Sequence, residues 1–304
     1  MTIKKQCICC TMAVALLLAL SGCSGSDKLQ LANEIRFSLD GISDVTISYD
    51  EELVTFFPAD SDELMIREYM TKDKGSYHAD VSQSSDSIHV SEGGKPLFHG
   101  DFSRYIEVYL PASYGESLTV TTTDGDIDLS DVDLRLASLR VDSTEGTVTI
   151  KRAAASKLHL SSTSGTLKLG SITAEDIRLE TTSGKVSCDS LEGRVTYTST
   201  SGSADIKEAK GSGSFKAENS GELNVVYTEV TGDLYLFNKN DSVRLTVPAG
   251  LDFDFEAVTK NGSVKTSFQE SLMVSGDTVR AAVGSDPSAA IKVETKNGNI
   301  EVIR

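Results

Sequence analysis

The chain has no tryptophan, only five prolines, and aromatics at just 6% of its 304 residues. Apolar residues reach 39%, enough to exclude wholesale disorder but thin for the deep core of a large globular enzyme. Positive charge is scarce as well: 29 basic residues face 45 acidic ones, a net charge of −16. A polymer of phosphates would be repelled, which argues against nucleic acid as a partner. The one long apolar run, Met12–Leu20, has nine residues and is too short to cross a bilayer. Four histidines, His78, His89, His99 and His159, have no second His or Cys at i+2, i+3 or i+4 to complete a metal-ligating pair. No nucleophile elbow, phosphate-binding glycine loop or zincin motif appears. Of five cysteines, Cys7, Cys9, Cys10 and Cys23 lie at the amino terminus, leaving Cys188 alone in the body of the chain. One thiol makes no intramolecular disulfide, so the fold must hold by backbone pairing and burial.

What is present begins at the amino terminus. Lys4 and Lys5 precede the apolar run, which ends in Leu20-Ser21-Gly22-Cys23. That order resembles the lipobox of bacterial lipoproteins. The resemblance implies cleavage before Cys23, a diacylglyceryl group on its sulfur and a further acyl chain, such as palmitate, on its amine. Two or more acyl chains suffice for stable anchoring. Residues 1–22 therefore read as a signal peptide and residues 23–34 as a lipidated cysteine with its tether. The mature chain keeps 27 basic and 45 acidic residues, a net −18. It is expected outside the cytoplasm, held by lipid to the cell membrane, or to the outer membrane in a Gram-negative cell.

A repeat dominates the rest. Glycines preceded by small polar residues recur at Gly125, Gly146, Gly165, Gly184, Gly202 and Gly221, at intervals of 21, 19, 19, 18 and 19 residues. Asp241 takes the next slot, followed by Gly262 and, after a longer insertion, Gly298. Apolar pairs flank nearly every marker at fixed offsets, as in Leu139/Val141 before Gly146 and Val148/Ile150 after it; the pair before Gly221, Phe215/Ala217, slips by one, and Gly262 is followed by Val264 and the less apolar Thr266. Each unit is two short alternating strands about a tight turn. A lone unit cannot bury its apolar side, whereas stacked units bury a continuous column. The expectation is an all-β fold: a parallel, right-handed β-solenoid of roughly nine coils over residues 113–304, about 40 Å long at the usual strand spacing. The markers are glycines because the turn needs positive φ or no Cβ. Residues 35–112 carry strand-like runs at Val45–Tyr49, Ser87–Val90 and Tyr105–Leu110 and read as an irregular β cap on the first coil.

This order of features, a degenerate β opening, a strand ending in Leu110-Pro111, glycine repeats rich in Thr and Ser, then Lys296-Asn297-Gly298-Asn299-Ile300, resembles the bacterial "putative adhesin" β-strand-repeat family. The resemblance spans about residues 43–304. It implies a solenoid-like fold and an extracytoplasmic, non-enzymatic role, and it offers no catalytic residues.

Two clusters remain as site candidates. Asp124, Asp126 and Asp128 crowd the first strong coil, where parallel β-helix enzymes hold Ca²⁺ or run acid/base chemistry; the alternative is outward charge that keeps the rod soluble. Tyr235 and Phe237 alternate with inward Leu234 and Leu236, so they face out, with Tyr227 nearby. Exposed aromatics on a rigid ladder stack sugars or anchor a protein. Outward slots elsewhere mix charges with Thr, which rejects a flat ice-binding array. Cys188 falls on the inward register and reads as inert packing. The sequence thus describes an envelope lipoprotein carrying a non-catalytic binding or scaffold module for an unknown protein or glycan, without a cofactor. The alternatives are a β-helix enzyme acting on glycans and a membrane-tethered regulator of envelope stress.

Overall fold

The coordinates are a computed structural model that describes residues 28–97, 102–268 and 272–304; the signal segment, Cys23 and His99 lie outside these. Eight strands come first: β1 (Gln30–Ser38), β2 (Asp44–Ser48), β3 (Leu53–Pro58), β4 (Glu63–Met70), β5 (Asp80–Gln83), β6 (Ser87–Ser91), β7 (Arg104–Leu110) and β8 (Ser117–Thr122). Six long strands follow: β9 (Ile127–Ser143), β10 (Thr147–Ser162), β11 (Thr166–Thr181), β12 (Lys185–Ser199), β13 (Ser203–Ala217) and β14 (Leu223–Asn238). The chain closes with β15 (Val243–Thr246), β16 (Phe253–Thr259), β17 (Val264–Thr266), β18 (Met273–Ser275), β19 (Thr278–Val283), β20 (Ala289–Thr295) and β21 (Ile300–Ile303).

The long strands explain themselves by their alternation. Along β9 the buried apolar residues are Ile127, Leu129, Val132, Leu134, Leu136, Leu139 and Val141. Period-2 alternation holds in three runs and slips by one residue after Leu129 and again after Leu136. A slip that keeps both sides facing one core requires the backbone to turn there. Each long strand therefore wraps the core, and consecutive strands from β9 to β14 pair in parallel, coil on coil. Like residues stack: Leu139, Leu158, Ile177 and Val195 form one column, all buried.

The turns show why the markers are glycines. A Cβ on Gly146 would lie 1.9 Å from the carbonyl oxygen of Gly125, and one on Gly165 would lie 2.1 Å from that of Gly146. Of the marker glycines only Gly221 has positive φ, at 106°. The requirement is close approach of one turn to the next, so the expected reliance on left-handed backbone holds at that one marker. Three residues before the marker, a buried hydroxyl accepts its N–H: Thr122 for Gly125 (3.0 Å), Ser162 for Gly165 (3.0 Å) and Thr181 for Gly184 (2.6 Å). This is a local turn that Ser and Thr build well.

Both ends depart from chain order. Strand β2 pairs with both β6 and β8, and β3 with both β7 and β9. The segment 44–110 thus supplies two parallel coils, with the later one outermost. The expected boundary at residue 112 does not separate cap from ladder. Capping falls to antiparallel strands: β4 on β7, β1 on β4 in turn, and β5 on β6. At the other end β20 inserts between β14 and β16, and β21 between β15 and β17. The Gly298 coil therefore lies inside the Gly262 coil, reversing the order along the chain. The outer coil carries Phe253 and Phe255, and Phe268 packs edge-on against both, with centroids 5.6 and 5.1 Å apart. These rings close the open end of the core column, while the slimmer Ala289, Ile291 and Val293 fit within the stack. Antiparallel β19 and β18 finish this end.

Candidate binding face

Among the described residues, the histidines and the lone thiol do not assemble a reaction centre. His78 pairs with Asp73 at 2.7 Å, and His159 bridges Arg140 and Glu180 at 2.8 Å on each side. Cys188 is buried in the core, and burial pushes its thiol up to about 12, which suits packing and not nucleophilic attack. Among the described residues no group of three or more His, Cys, Asp or Glu gathers to hold a metal. Asp124, Asp126 and Asp128 form no such group. Asp126 accepts the Thr147 N–H at 2.6 Å, Asp128 accepts that of Ser130 at 2.9 Å, and Asp124 is exposed.

The aromatic candidates divide. Tyr227 does not join the patch: it is buried at 2% exposure, a correction to its expected outward position. Leu223, Val225 and Tyr227 continue one alternating run inward, without the slip that follows the equivalent pair in β9. That signal was present in the sequence. Tyr235 and Phe237 do face outward and are half-buried. The Tyr235 hydroxyl donates to Glu294 Oε2 at 3.2 Å, and Lys216 Nζ lies 5.4 Å from its ring centroid. Burial, then the Glu294 carboxylate, raises its pKa. Phe237 stands between Lys216 and Glu294 in register. The β18–β19 hairpin pairs with β16, beyond β20, and so does not replace β20 as the neighbour of β14.

Two residues beyond Phe237 the turns become basic. Lys239-Asn240, Lys296-Asn297 and Lys260-Asn261 occupy equivalent places on adjacent coils, since Asn238 pairs with Thr295 and Thr295 with Thr259. Nothing in the linear order predicted this grouping, because Lys296 follows Lys260 in the chain but lies between it and Lys239.

A different charged cluster sits inside the amino-terminal end. The Arg104 side chain is fully buried, 3.1 Å from Glu92, 3.4 Å from Glu52 and 3.9 Å from Glu68. Lys95 lies 2.7 Å from Glu92. Glu68 accepts from Asn33 and the Ala79 N–H at 2.8 Å and from the Tyr49 hydroxyl at 3.2 Å. Sequence reading missed it, because its members are scattered over some seventy residues and meet only through strand pairing. Its enclosure and its ion pairs make it a seal on the first coils, although Arg104 Nε is buried without a hydrogen-bond partner.

Among the described residues no helix is long and apolar enough to cross a membrane. The family model described as Toastrack DUF4097 matches residues 42–303. A crystal structure called a "putative adhesin" from Bacteroides fragilis NCTC 9343 is similar at 11% identity and a TM-score of 0.47, covering 91% of this chain and 98% of that one. One from Parabacteroides merdae ATCC 43184 under the same description has 15% identity and a TM-score of 0.40, covering 92% and 98%. No curated protein matched.

Proposed function

The chain belongs to the Toastrack DUF4097 family, and from that premise we propose that it acts as a non-catalytic binding module, displayed at the cell envelope by a lipid on Cys23. One observation carries the reading. The glycine turns lock each coil onto the next, so outward side chains sit on a rigid ladder with Tyr235 and Phe237 beside a basic edge. A preorganised surface loses little conformational freedom on binding, which favours contact over an extended face. The lipobox-like Leu20-Ser21-Gly22-Cys23 supports the anchor.

The test compares wild type with Cys23→Ala in cells by membrane fractionation and acyl labelling. Loss of both label and membrane retention in the variant is the expected result. An unlabelled wild type that is freely released would overturn the anchor. Binding to isolated envelopes should fall in Tyr235→Ala/Phe237→Ala while the melting curve stays cooperative; unchanged binding would remove the aromatic face from the proposal.

A further inference from the structure

Along the strands of this ladder, charged side chains that face each other in register on adjacent coils are opposite in sign. Asp133 meets Arg152, Asp176 meets Arg194, Asp189 meets Lys207, and Glu301 stands between Arg244 and Lys265. The basic turn breaks that rule. Lys296 N donates to Lys239 O at 3.1 Å and Asn261 N to Lys296 O at 2.9 Å, so Lys239, Lys296 and Lys260 stack one per coil. All three are exposed, and among the described residues none has a carboxylate in ion-pairing range. Glu218 occupies the slot beneath Lys239 without pairing to it.

Like charges placed directly across a ladder destabilise it, and a chain of net −16 has carboxylates to spare. The asparagines beside the lysines hold the stack rigid. Asn240 Nδ2 donates to Asn219 Oδ1 at 3.1 Å, Asn297 Nδ2 to Asn240 Oδ1 at 2.6 Å, and Asn261 Nδ2 to Asn297 Oδ1 at 2.7 Å. The amide chain anchors four turns and leaves the ammonium groups at the surface.

We infer that this lysine column is an anion-binding edge whose ligand is an acidic polysaccharide lying along the rod axis. The inference deepens the binding-module reading and rests on it. A polymer in that direction meets one ammonium per coil, about every 4.8 Å, so carboxylates on successive sugars find successive partners. Phe237, half exposed two residues before Lys239, supplies a ring face on which a sugar can stack. The acidic body of the protein disfavours a densely charged phosphate chain, because long-range repulsion acts on the whole polymer.

The test uses the full chain in detergent, titrated with polygalacturonate, neutral dextran and duplex DNA at low and physiological salt. Saturable binding to polygalacturonate that weakens with salt is expected, with none to dextran and less to DNA. Lys239→Gln/Lys260→Gln/Lys296→Gln together should lower that affinity by about tenfold or more, with the melting temperature unchanged or raised. Absence of polygalacturonate binding, preference for DNA, or a triple variant that binds like wild type overturns the inference. Isolated envelopes separate the two levels. Envelope binding that survives in the triple variant removes the lysine column alone, whereas a wild type that binds no envelope material removes the underlying reading.

Discussion

The Tyr227 hydroxyl rests against Gly213, where an added Cβ would lie 3.1 Å from it. Gly213 takes the inward slot held by Val195 on one neighbouring coil and Leu234 on the other. Tyr227 shares its own slot with Ala209. Two small residues thus open the volume that one tyrosine fills, a compensation between coils in a close-packed core.

The Tyr227 hydroxyl is buried without a hydrogen-bond partner, and such a group costs about 1–3 kcal/mol. Tyr227→Phe is therefore expected to gain about 1 kcal/mol in urea unfolding. Gly213→Val should lose about 2 kcal/mol by overpacking against the ring. A destabilised Tyr227→Phe would show that the hydroxyl is satisfied after all.

The turn column makes a sharper contrast. Gly165→Ala drives a Cβ into the Gly146 carbonyl, whereas a Cβ on Gly250 meets nothing within 4 Å. Alanine at Gly165 should cost about 3 kcal/mol, and at Gly250 close to nothing. Equal losses at the two positions would remove close approach as the reason for the repeat.

Glu52 sets a pH dependence. Burial pushes its carboxyl up and the nearby Glu92 carboxylate adds to this, against the pull of Arg104 and Lys95. A carboxyl raised above its unfolded value contributes stability in full below the unfolded value and loses it as pH rises through the raised one. Glu52→Gln should therefore melt no lower than wild type at pH 7, with its relative advantage shrinking as pH falls into the ordinary carboxylate range. Glu68→Gln should melt lower, since three donors converge on that carboxylate. Melting curves from pH 7 to 4 decide this; a Glu52→Gln that is less stable at pH 7 refutes it.

Cys188 should resist thiol reagents in the folded protein and react once unfolded. Burial both hides the sulfur and holds its pKa near 12, so almost no thiolate is present at neutral pH. Rapid native labelling at a rate unaffected by urea would contradict the register that places it inward.

Strand alternation was legible because side-chain direction along a strand is a local property. Leu158, Leu160, Leu167 and Leu169 point inward as their spacing says. Tyr227 is legible in the same way, as the next step of the alternating run Leu223, Val225. The Ser and Thr that precede the marker glycines were visible as text, but their service to the marker N–H needs turn geometry.

By itself the sequence determined the element type, the repeat, the inward columns and the parallel stacking of the central coils. Each follows from nearest-neighbour rules repeated along the chain. Only the tertiary structure decided which coil is outermost at each end, because pairing among distant strands is settled by packing. The bulky Phe253, Phe255 and Phe268 close the core where Ala289 and Ile291 fit within it. That choice brought Lys296 between Lys239 and Lys260, and three short Lys-Asn turns became one charged edge.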